Sequence, residues 1–251
     1  MSRRTRLSMF GAGALGLAAL LGWAVSGLDA FGTFHGAYAL LVNQVVVAQR
    51  HATDAVTAVN FDYRALDTLG EEFILFASVI GLSLLLREQR GEHEHPRIET
   101  QREHSLQGSS SALRILTLAF VGPLIALSIY LDSHGALTPG GGFQGGVIGA
   151  AALMMVFLGG GYLAMRRLSP HRLVELAESA GAAGYALLGL GGMVFASLFF
   201  TNFLPLGTPG ELLSAGTIPL NSMAVALEVT GAFVLLWSEF LDQALIVRAN
   251  R

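Results

Sequence analysis

Long apolar runs, separated by short charged clusters, are the feature that most constrains the fold of this chain. Of its 251 residues, 53% are hydrophobic and 13% are charged, whereas a soluble domain usually carries about a quarter charged residues. A helix needs roughly 20 apolar residues to cross a bilayer, so the pattern predicts an all-α, polytopic membrane protein with about six spans. These are Leu7–Val25, Glu72–Leu86 (short, but extended by Leu69 and the residues before it), Leu113–Leu131, Gly145–Met165, Ala182–Phe200 and Asn221–Val247.

The arginines predict how these spans are oriented. The chain has no Lys, and with six spans only Arg50 and Arg64 fall on one side of the membrane, opposite all the other Arg residues. Basic residues concentrate on the cytoplasmic side, so both termini are predicted to be cytoplasmic, and a seventh span would break the pattern. The first segment could instead be a cleaved signal peptide, but its apolar run is longer than a typical signal core.

A glycine-rich stretch joins the third and fourth predicted spans. This abundance of glycine predicts backbone that turns tightly and approaches other groups closely. Gly145 and Gly149 also have the spacing of close helix contacts. The stretch could seat one protein of a complex on another, or it could line an ion path together with His134. Its central residues are Pro139, Gly140, Gly141, Gly142, Phe143, Gln144, Gly145 and Gly146.

A polar stretch precedes the second predicted span. Thr68 and Glu71 have the spacing of a helix capping box. Alternatively, Asp67 and Glu71 could form a carboxylate pair at the membrane boundary that holds a cation or passes a proton. Upstream, helical spacing predicts a short amphipathic helix whose apolar face contains Ala52, Ala55, Val56 and Val59, away from Asp54 and Thr57.

Glu228 is a further candidate because of its depth. It lies seven residues into the last predicted span, about 10 Å from the start at roughly 1.5 Å per residue. An ionisable group at that depth is costly unless it pairs or faces water, which makes it a candidate for an ion path. The alternative is a carboxyl that a neighbouring helix satisfies. Glu239 and Asp242 lie nearer the end of the span and are interpreted as interfacial charges.

Two strings in the C-terminal half resemble a known family. His134 to Ala151, with Thr138-Pro139-Gly140-Gly141-Gly142-Phe143-Gln144-Gly145-Gly146, and Leu213 to Asn221 are similar to the B subunit of the multisubunit Mrp/Mnh-type sodium/proton antiporters. This resemblance covers roughly residues 112–247. Residues 59–71 and the following helix resemble the C-terminal tail of the large A subunit of the same antiporters. The resemblance therefore implies an A-type tail module over 1–90, a charged linker over 91–111 and a B-type module over 112–251.

The resemblance implies an accessory subunit of a hetero-oligomeric antiporter in the cell inner (plasma) membrane. Its partners would be the other subunits and membrane lipid, with sodium and protons as transported ions. An alternative is the ion-translocating subunit of an energy-converting hydrogenase or a complex-I-like oxidoreductase, and a third is a structural scaffold in either complex.

No catalytic set supports an enzyme. Asp132, Ser133 and His134 are adjacent and poorly placed to orient one another, and no GxSxG elbow occurs. The chain has no Cys and a formal charge of −3; no cofactor, metal site or nucleic-acid partner is predicted. His93, His95 and His104 are interpreted as part of the solvated linker rather than as metal ligands.

Overall fold

The computed structural model describes residues 3–28, 36–86 and 110–249, which form an all-α architecture. Within these ranges six helices are long and apolar enough to cross a membrane, which confirms the predicted number of spans. Numbered in chain order, the helices are α1 (Arg3–Ser26), α2 (Ala37–Arg50), α3 (Ala55–Ala58), α4 (Ala65–Leu86), α5 (Ser111–Ser133), α6 (Gly142–Gly160), α7 (Tyr162–Leu168), α8 (His171–Ala196) and α9 (Ile218–Ala249). A π-helical segment, Val59–Tyr63, connects α3 to α4.

The chain divides into two compact units, Met1–Leu40 and Leu41–Arg251. In the first unit, the apolar span of α1 buries none of its residues. In the second unit, α9 is the central helix, and α4, α6 and α8 all pack against it, while α5 packs mainly against α6. Side chains along α9 such as Val225, Val229 and Ala232 are fully enclosed. The core of the second unit is therefore built around α9.

The fourth and fifth spans differ from their predicted bounds. The fourth was expected to reach Met165, but α6 ends at Gly160, because Gly161 adopts a φ of 82° that interrupts the helix. The fifth was expected to begin at Ala182, but α8 begins at His171, directly after Pro170. Apolarity alone missed the first three turns of α8, which carry charged side chains and still belong to the helix.

Of two local predictions before the second span, the capping box is wrong, whereas the short helix forms as α3 but buries a face different from the predicted one. Thr68 and Glu71 do not form a capping box, because α4 already begins at Ala65 and both residues lie inside it. In the predicted amphipathic segment, Val56 is 65% exposed, whereas Thr57 is buried. The reason is that Asp54 caps α3 by accepting the Thr57 N–H, so the polar face turns inward.

The charged linker predicted over 91–111 lies outside the described residues apart from Ser110 and Ser111. His93, His95 and His104 are among the residues not described. Ser110 caps α5, since its Oγ accepts the Leu113 N–H at 3.2 Å. The proposed division into two modules at this linker therefore stays a prediction.

Candidate functional site

The glycine-rich stretch inserts the start of α6 against α9. A Cβ added to Gly142 would lie 2.1 Å from the Ser222 carbonyl oxygen, and one added to Gly146 would lie 2.8 Å from the Val229 Cβ. Real Cβ atoms do not approach other atoms this closely. Glycine at these two positions therefore allows the α6 and α9 backbones to touch.

The other glycine pair faces α5. A Cβ on Gly145 would lie 2.9 Å from the Ser128 carbonyl oxygen, and one on Gly149 would lie 3.0 Å from the Ser128 Oγ. The close approach lets the Ser128 hydroxyl donate a hydrogen bond to the Gly145 carbonyl at 2.7 Å. Thr230 of α9 donates likewise to the Gly146 carbonyl at 3.1 Å. The glycines thus hold α5, α6 and α9 together within this chain, and Pro139, Phe143 and Gln144 remain exposed.

His134 lies at the end of α5. Its ring stacks on Tyr130 with the centroids 4.2 Å apart, and its Nδ1 is 3.2 Å from the Tyr130 carbonyl oxygen and from the Ser133 Oγ. These contacts belong to its own helix end. The neighbouring Asp132 accepts a hydrogen bond from Ser222 of α9 at 2.8 Å, which adds to the packing of α5 on α9.

The predicted Asp67–Glu71 pair lies on the exposed side of α4. The Asp67 carboxylate is 2.5 Å from the Arg64 guanidinium, and both side chains are more than half exposed. Glu71 is exposed as well, whereas the next residue, Glu72, is buried. Glu72 was not predicted, because it stands beside Glu71 at the expected edge of the span.

Glu228 is completely buried, with 0% of its side chain exposed. Since α9 begins at Ile218, Glu228 is ten residues into the helix, about 15 Å along its axis. Neither carboxyl oxygen has a hydrogen-bond donor among the described residues. Its acidic neighbours are Glu72 of α4 and Glu178 of α8. Glu72, Glu178 and Glu228 are called the buried carboxyl cluster below.

Glycines give the two helices that carry Glu178 and Glu228 a reciprocal contact. A Cβ on Gly231 of α9 would lie 2.7 Å from the Glu178 nitrogen, and a Cβ on Gly181 of α8 would lie 2.4 Å from the Glu228 nitrogen. Each glutamate therefore packs over a glycine of the opposite, antiparallel helix. Glu178 was not predicted, because the fifth span was placed to begin after it.

A cavity of about 340 Å³ reaches the buried carboxyl cluster. Glu178 is part of its wall, and Glu175, Glu239 and His171 are the other titratable groups around it. The remaining lining residues come from α4 and α9: Val79, Ile80, Ser83, Leu84 and Leu235. Within residues 3–28, 36–86 and 110–249, no group of three or more His, Asp or Glu side chains is arranged to hold a metal ion.

A second polar site joins the segment before α4 to the C-terminal helices. The Arg50 guanidinium lies 2.6 Å from the Asp62 carboxylate, whose side chain is only 4% exposed. Burial raises the pKa of Asp62 above its ordinary value, and the hydrogen bond and charge of Arg50 offset part of this effect. Asn221 of α9 donates to the Phe61 carbonyl at 2.9 Å, and Tyr185 of α8 donates to the Ala65 carbonyl at 3.0 Å.

Among residues 3–28, 36–86 and 110–249, six helices have the length and apolarity of membrane spans, and three of those in the second unit carry buried carboxyl groups, which defines the class of multi-pass membrane proteins. A family model described as a domain related to the MnhB subunit of Na+/H+ antiporter matches residues 112–235. An uncharacterized protein of Methanocaldococcus jannaschii is 34% identical over 218 residues, covering 77% of this chain and 81% of that protein. The B subunit of the Na+/H+ antiporter of Bacillus subtilis is 30% identical over 118 residues, 45% of this chain and 80% of that protein. The chain belongs to the MnhB-related family.

Two solved structures share the fold over nearly the whole chain. One is a chain of the membrane-bound sulfane sulfur reductase, an archaeal respiratory membrane complex, with a TM-score of 0.68 and 26% identity; 94% of this chain and 98% of that chain are covered. The other is a chain of the Mrp complex from Dietzia sp. DQ12-45-1b, with a TM-score of 0.67 and 24% identity, covering 95% of this chain and 26% of that longer chain.

Proposed function

We propose that this chain is an accessory subunit of a multisubunit Na+/H+ antiporter. The observation that carries the proposal is the MnhB-related match over residues 112–235, which includes nearly all of α5, all of α6 to α8 and just over half of α9. It is supported by similarity to the B subunit of the Na+/H+ antiporter of Alkalihalophilus pseudofirmus, 25% identical over 140 residues and covered over 96% of its length.

The residues behind the family resemblance have structural roles that suit a component of a larger complex. The glycines of the 140–146 stretch hold α6 between α5 and α9, and Asn221 ties α9 to the segment before α4. Large apolar side chains such as Ile115, Val194 and Phe195 remain exposed on the spans. Lipid and the other subunits of the complex would cover these faces.

The finer assignments follow from the same proposal. The chain serves ion transport and is not an enzyme, sodium and protons are the exchanged ions, and both termini are cytoplasmic by the arginine distribution. Residues 1–90 represent an A-type tail module joined to a B-type module. The likeness to a quarter of a longer Mrp complex chain supports a fold in which both parts occur in one polypeptide.

Purification from native membranes tests the proposal. The tagged chain, extracted in mild detergent, should bring with it the other subunits of an antiporter, identified by mass spectrometry. Membrane vesicles of a strain lacking the chain should lose sodium-dependent proton exchange, and the wild-type gene should restore it. A chain that purifies alone and whose loss leaves exchange intact would contradict the proposal.

One observation favours a second candidate function. The chain covers 98% of a chain of the membrane-bound sulfane sulfur reductase, at 26% identity. In that alternative, this protein would serve ion translocation in an energy-converting oxidoreductase whose redox chemistry is done by other subunits. The same purification separates the two, because only the oxidoreductase would bring along subunits with iron–sulfur clusters and their visible absorption.

A further inference from the structure

One member of the buried carboxyl cluster, Glu178, lies in the wall of the cavity. Glu178 lines the cavity, its side chain is 4% exposed, and its Oε1 has no hydrogen-bond partner among the described residues. Glu72 and Glu228 also have unpartnered oxygens in this part of the chain. An ionised carboxylate without donor or counter-charge is strongly disfavoured inside a protein. The cluster therefore requires either bound protons or a bound cation.

The arrangement favours protons over a cation. Hard cations take several oxygen ligands around one point, but no three acidic or His side chains in the described ranges form such a group. Instead, the carboxyls follow one another: Glu178 and Glu228 pack over facing glycines of α8 and α9, and Glu72 of α4 is the next acidic neighbour of Glu228. Because a carboxylate only accepts hydrogen bonds, neighbouring buried carboxyls without donors can satisfy one another only when a proton is bound between them.

We propose that Glu178, Glu228 and Glu72 form a proton relay that connects the cavity with the middle of the helix bundle. The Glu178 carboxylate takes a proton from a hydronium ion in the cavity and releases water. In each later step, the O–H bond of one carboxyl breaks as an O–H bond forms on the next carboxylate. The donor is left ionised, so charge and atoms balance without another reactant. The role of the relay in exchange rests on the proposed function, but its proton occupancy does not.

The titratable and charged groups around the relay come from α4, α8 and α9, which carry it, and from α7. Glu71 of α4 is near Glu72, Glu175 of α8 is near Glu178, and the Tyr185 phenol lies near Glu72. His171 and Glu239 line the cavity, and Arg166 and Asp242 are near Glu239. The relay thus begins at a cavity lined by groups of both charges and ends among acidic groups, which attract a mobile positive charge.

Proton occupancy can be measured without transport. Infrared difference spectra of the purified complex, wild type against Glu228→Gln, should show the C=O stretch of a protonated carboxyl that the variant lacks. Glu72→Gln should remove or shift the same band, because the two groups share the proton. If only ionised carboxylate bands are found at neutral pH, or if sodium alone shifts them, the relay is overturned.

Transport then tests the cavity end of the relay. In proteoliposomes containing the whole complex, Glu178→Gln should lower exchange by about 100-fold or more, the usual contribution of a positioned proton-transfer group. Glu178→Asp keeps the carboxyl and should restore part of the rate with a changed pH profile. Glu211→Gln, at an exposed loop carboxyl, is the matched control and should behave as wild type.

The outcomes of the two experiments are separable. Exchange that persists unchanged in an assembled Glu178→Gln complex overturns the relay and leaves the proposed function intact. A wild-type complex without any sodium/proton exchange contradicts the proposed function, and the infrared spectra still decide whether the cluster holds a proton.

Discussion

At the scale of single residues, burial separates charged groups that look alike in the sequence. Glu71 and Glu72 are neighbours, yet only Glu72 is enclosed by other helices. The same contrast holds for two ion pairs near the start of α4. Arg64 and Asp67 pair in solvent, whereas Asp62 is buried beside Arg50. The buried pair should therefore matter far more to stability.

Arg50→Gln should destabilise the protein by about 3–5 kcal/mol, because it leaves the Asp62 carboxylate buried without its partner. The pKa of Asp62 is already raised by burial, and losing Arg50 raises it further. A group whose folded pKa is raised contributes stability at low pH that is lost as the pH rises through that folded pKa. The variant should therefore lose more stability at neutral pH than in acid, as measured by thermal unfolding in detergent.

The matched control is Arg64→Gln. This exposed pair should contribute no more than about 1 kcal/mol, with little dependence on pH. Equal losses for the two variants at neutral pH would show that the Arg50–Asp62 pair has no special role.

A second residue-scale prediction concerns two glycines one turn apart on α8. A Cβ on Gly181 would lie 2.4 Å from the Glu228 nitrogen, whereas one on Gly184 would make an ordinary contact of 3.7 Å with the Ala224 Cβ. Gly181→Ala should thus cost about 1–3 kcal/mol or more through overpacking. Gly184→Ala should be neutral or slightly stabilising, since alanine favours helix by roughly 1 kcal/mol.

The yield and melting temperature of the complex in detergent measure both glycine variants. If Gly181→Ala assembles and melts like Gly184→Ala, the close contact between α8 and α9 at Glu228 does not exist as described.

At the scale of elements, the start of α6 lies between α5 and α9 and contacts both helices. Gly142 and Gly146 touch α9, while Gly145 and Gly149 touch α5. The glycine density predicts close packing, either at an interface with another protein of the complex or along an ion path. The structure shows that helices of the same chain make these contacts. The string that resembles the antiporter family is therefore explained to a large extent by the packing of α6.

Gly142→Ala and Gly145→Ala should both reduce assembly of the complex and, with it, exchange. Their Cβ atoms would lie 2.1 and 2.9 Å from backbone carbonyl oxygens, which cannot move aside without shifting a helix. Assembly is measured by size-exclusion chromatography of the detergent-extracted complex, and exchange in vesicles.

Gly161 is unsuitable as the control for these variants, because its φ of 82° would strain any other residue although its surroundings are open. Gly122 of α5 has no heavy atom within 4 Å of an added Cβ and no positive φ. Gly122→Ala should assemble normally. If Gly142→Ala and Gly145→Ala both behave like the wild type, the glycine-rich stretch only connects α5 to α6.

At the scale of the whole molecule, residues 41–86, before the charged linker, pack against the helices that follow it. These residues belong to one compact unit with the C-terminal helices. The contacts include the hydrogen bonds from Asn221 to Phe61 and from Tyr185 to Ala65. The Thr53 and Asp54 N–H groups also donate to the Ala136 carbonyl. Covalent continuity through the linker should thus be dispensable.

Cutting the chain near Gln107 and co-expressing the two halves should yield halves that purify together, because α4 packs on α8 and α9. Asn221→Ala should lower their recovery, since it leaves the buried Phe61 carbonyl unpaired at a cost of about 1–3 kcal/mol. Asn43→Ala, at an exposed side chain, is the control. Halves that assemble separately and never co-purify would contradict this packing.

The sequence by itself determined the number of spans and the family. Apolar runs predict membrane helices because each helix satisfies its own backbone hydrogen bonds, so the signal is local. The glycine string likewise identified the family and predicted close packing. The ends of helices were harder to predict, since α8 begins with charged turns that hydropathy excludes from a span.

Only the tertiary structure decided which polar groups form a site. Glu72 and Glu178 come near Glu228 because α8 and α9 pack together at Gly181 and Gly231 and because α4 packs against both helices. Burial depends on which face of a helix meets its neighbours, and in a mostly apolar span hydrophobic periodicity does not mark that face. For this reason, Glu228 could be singled out by its depth alone, but its two partners could not.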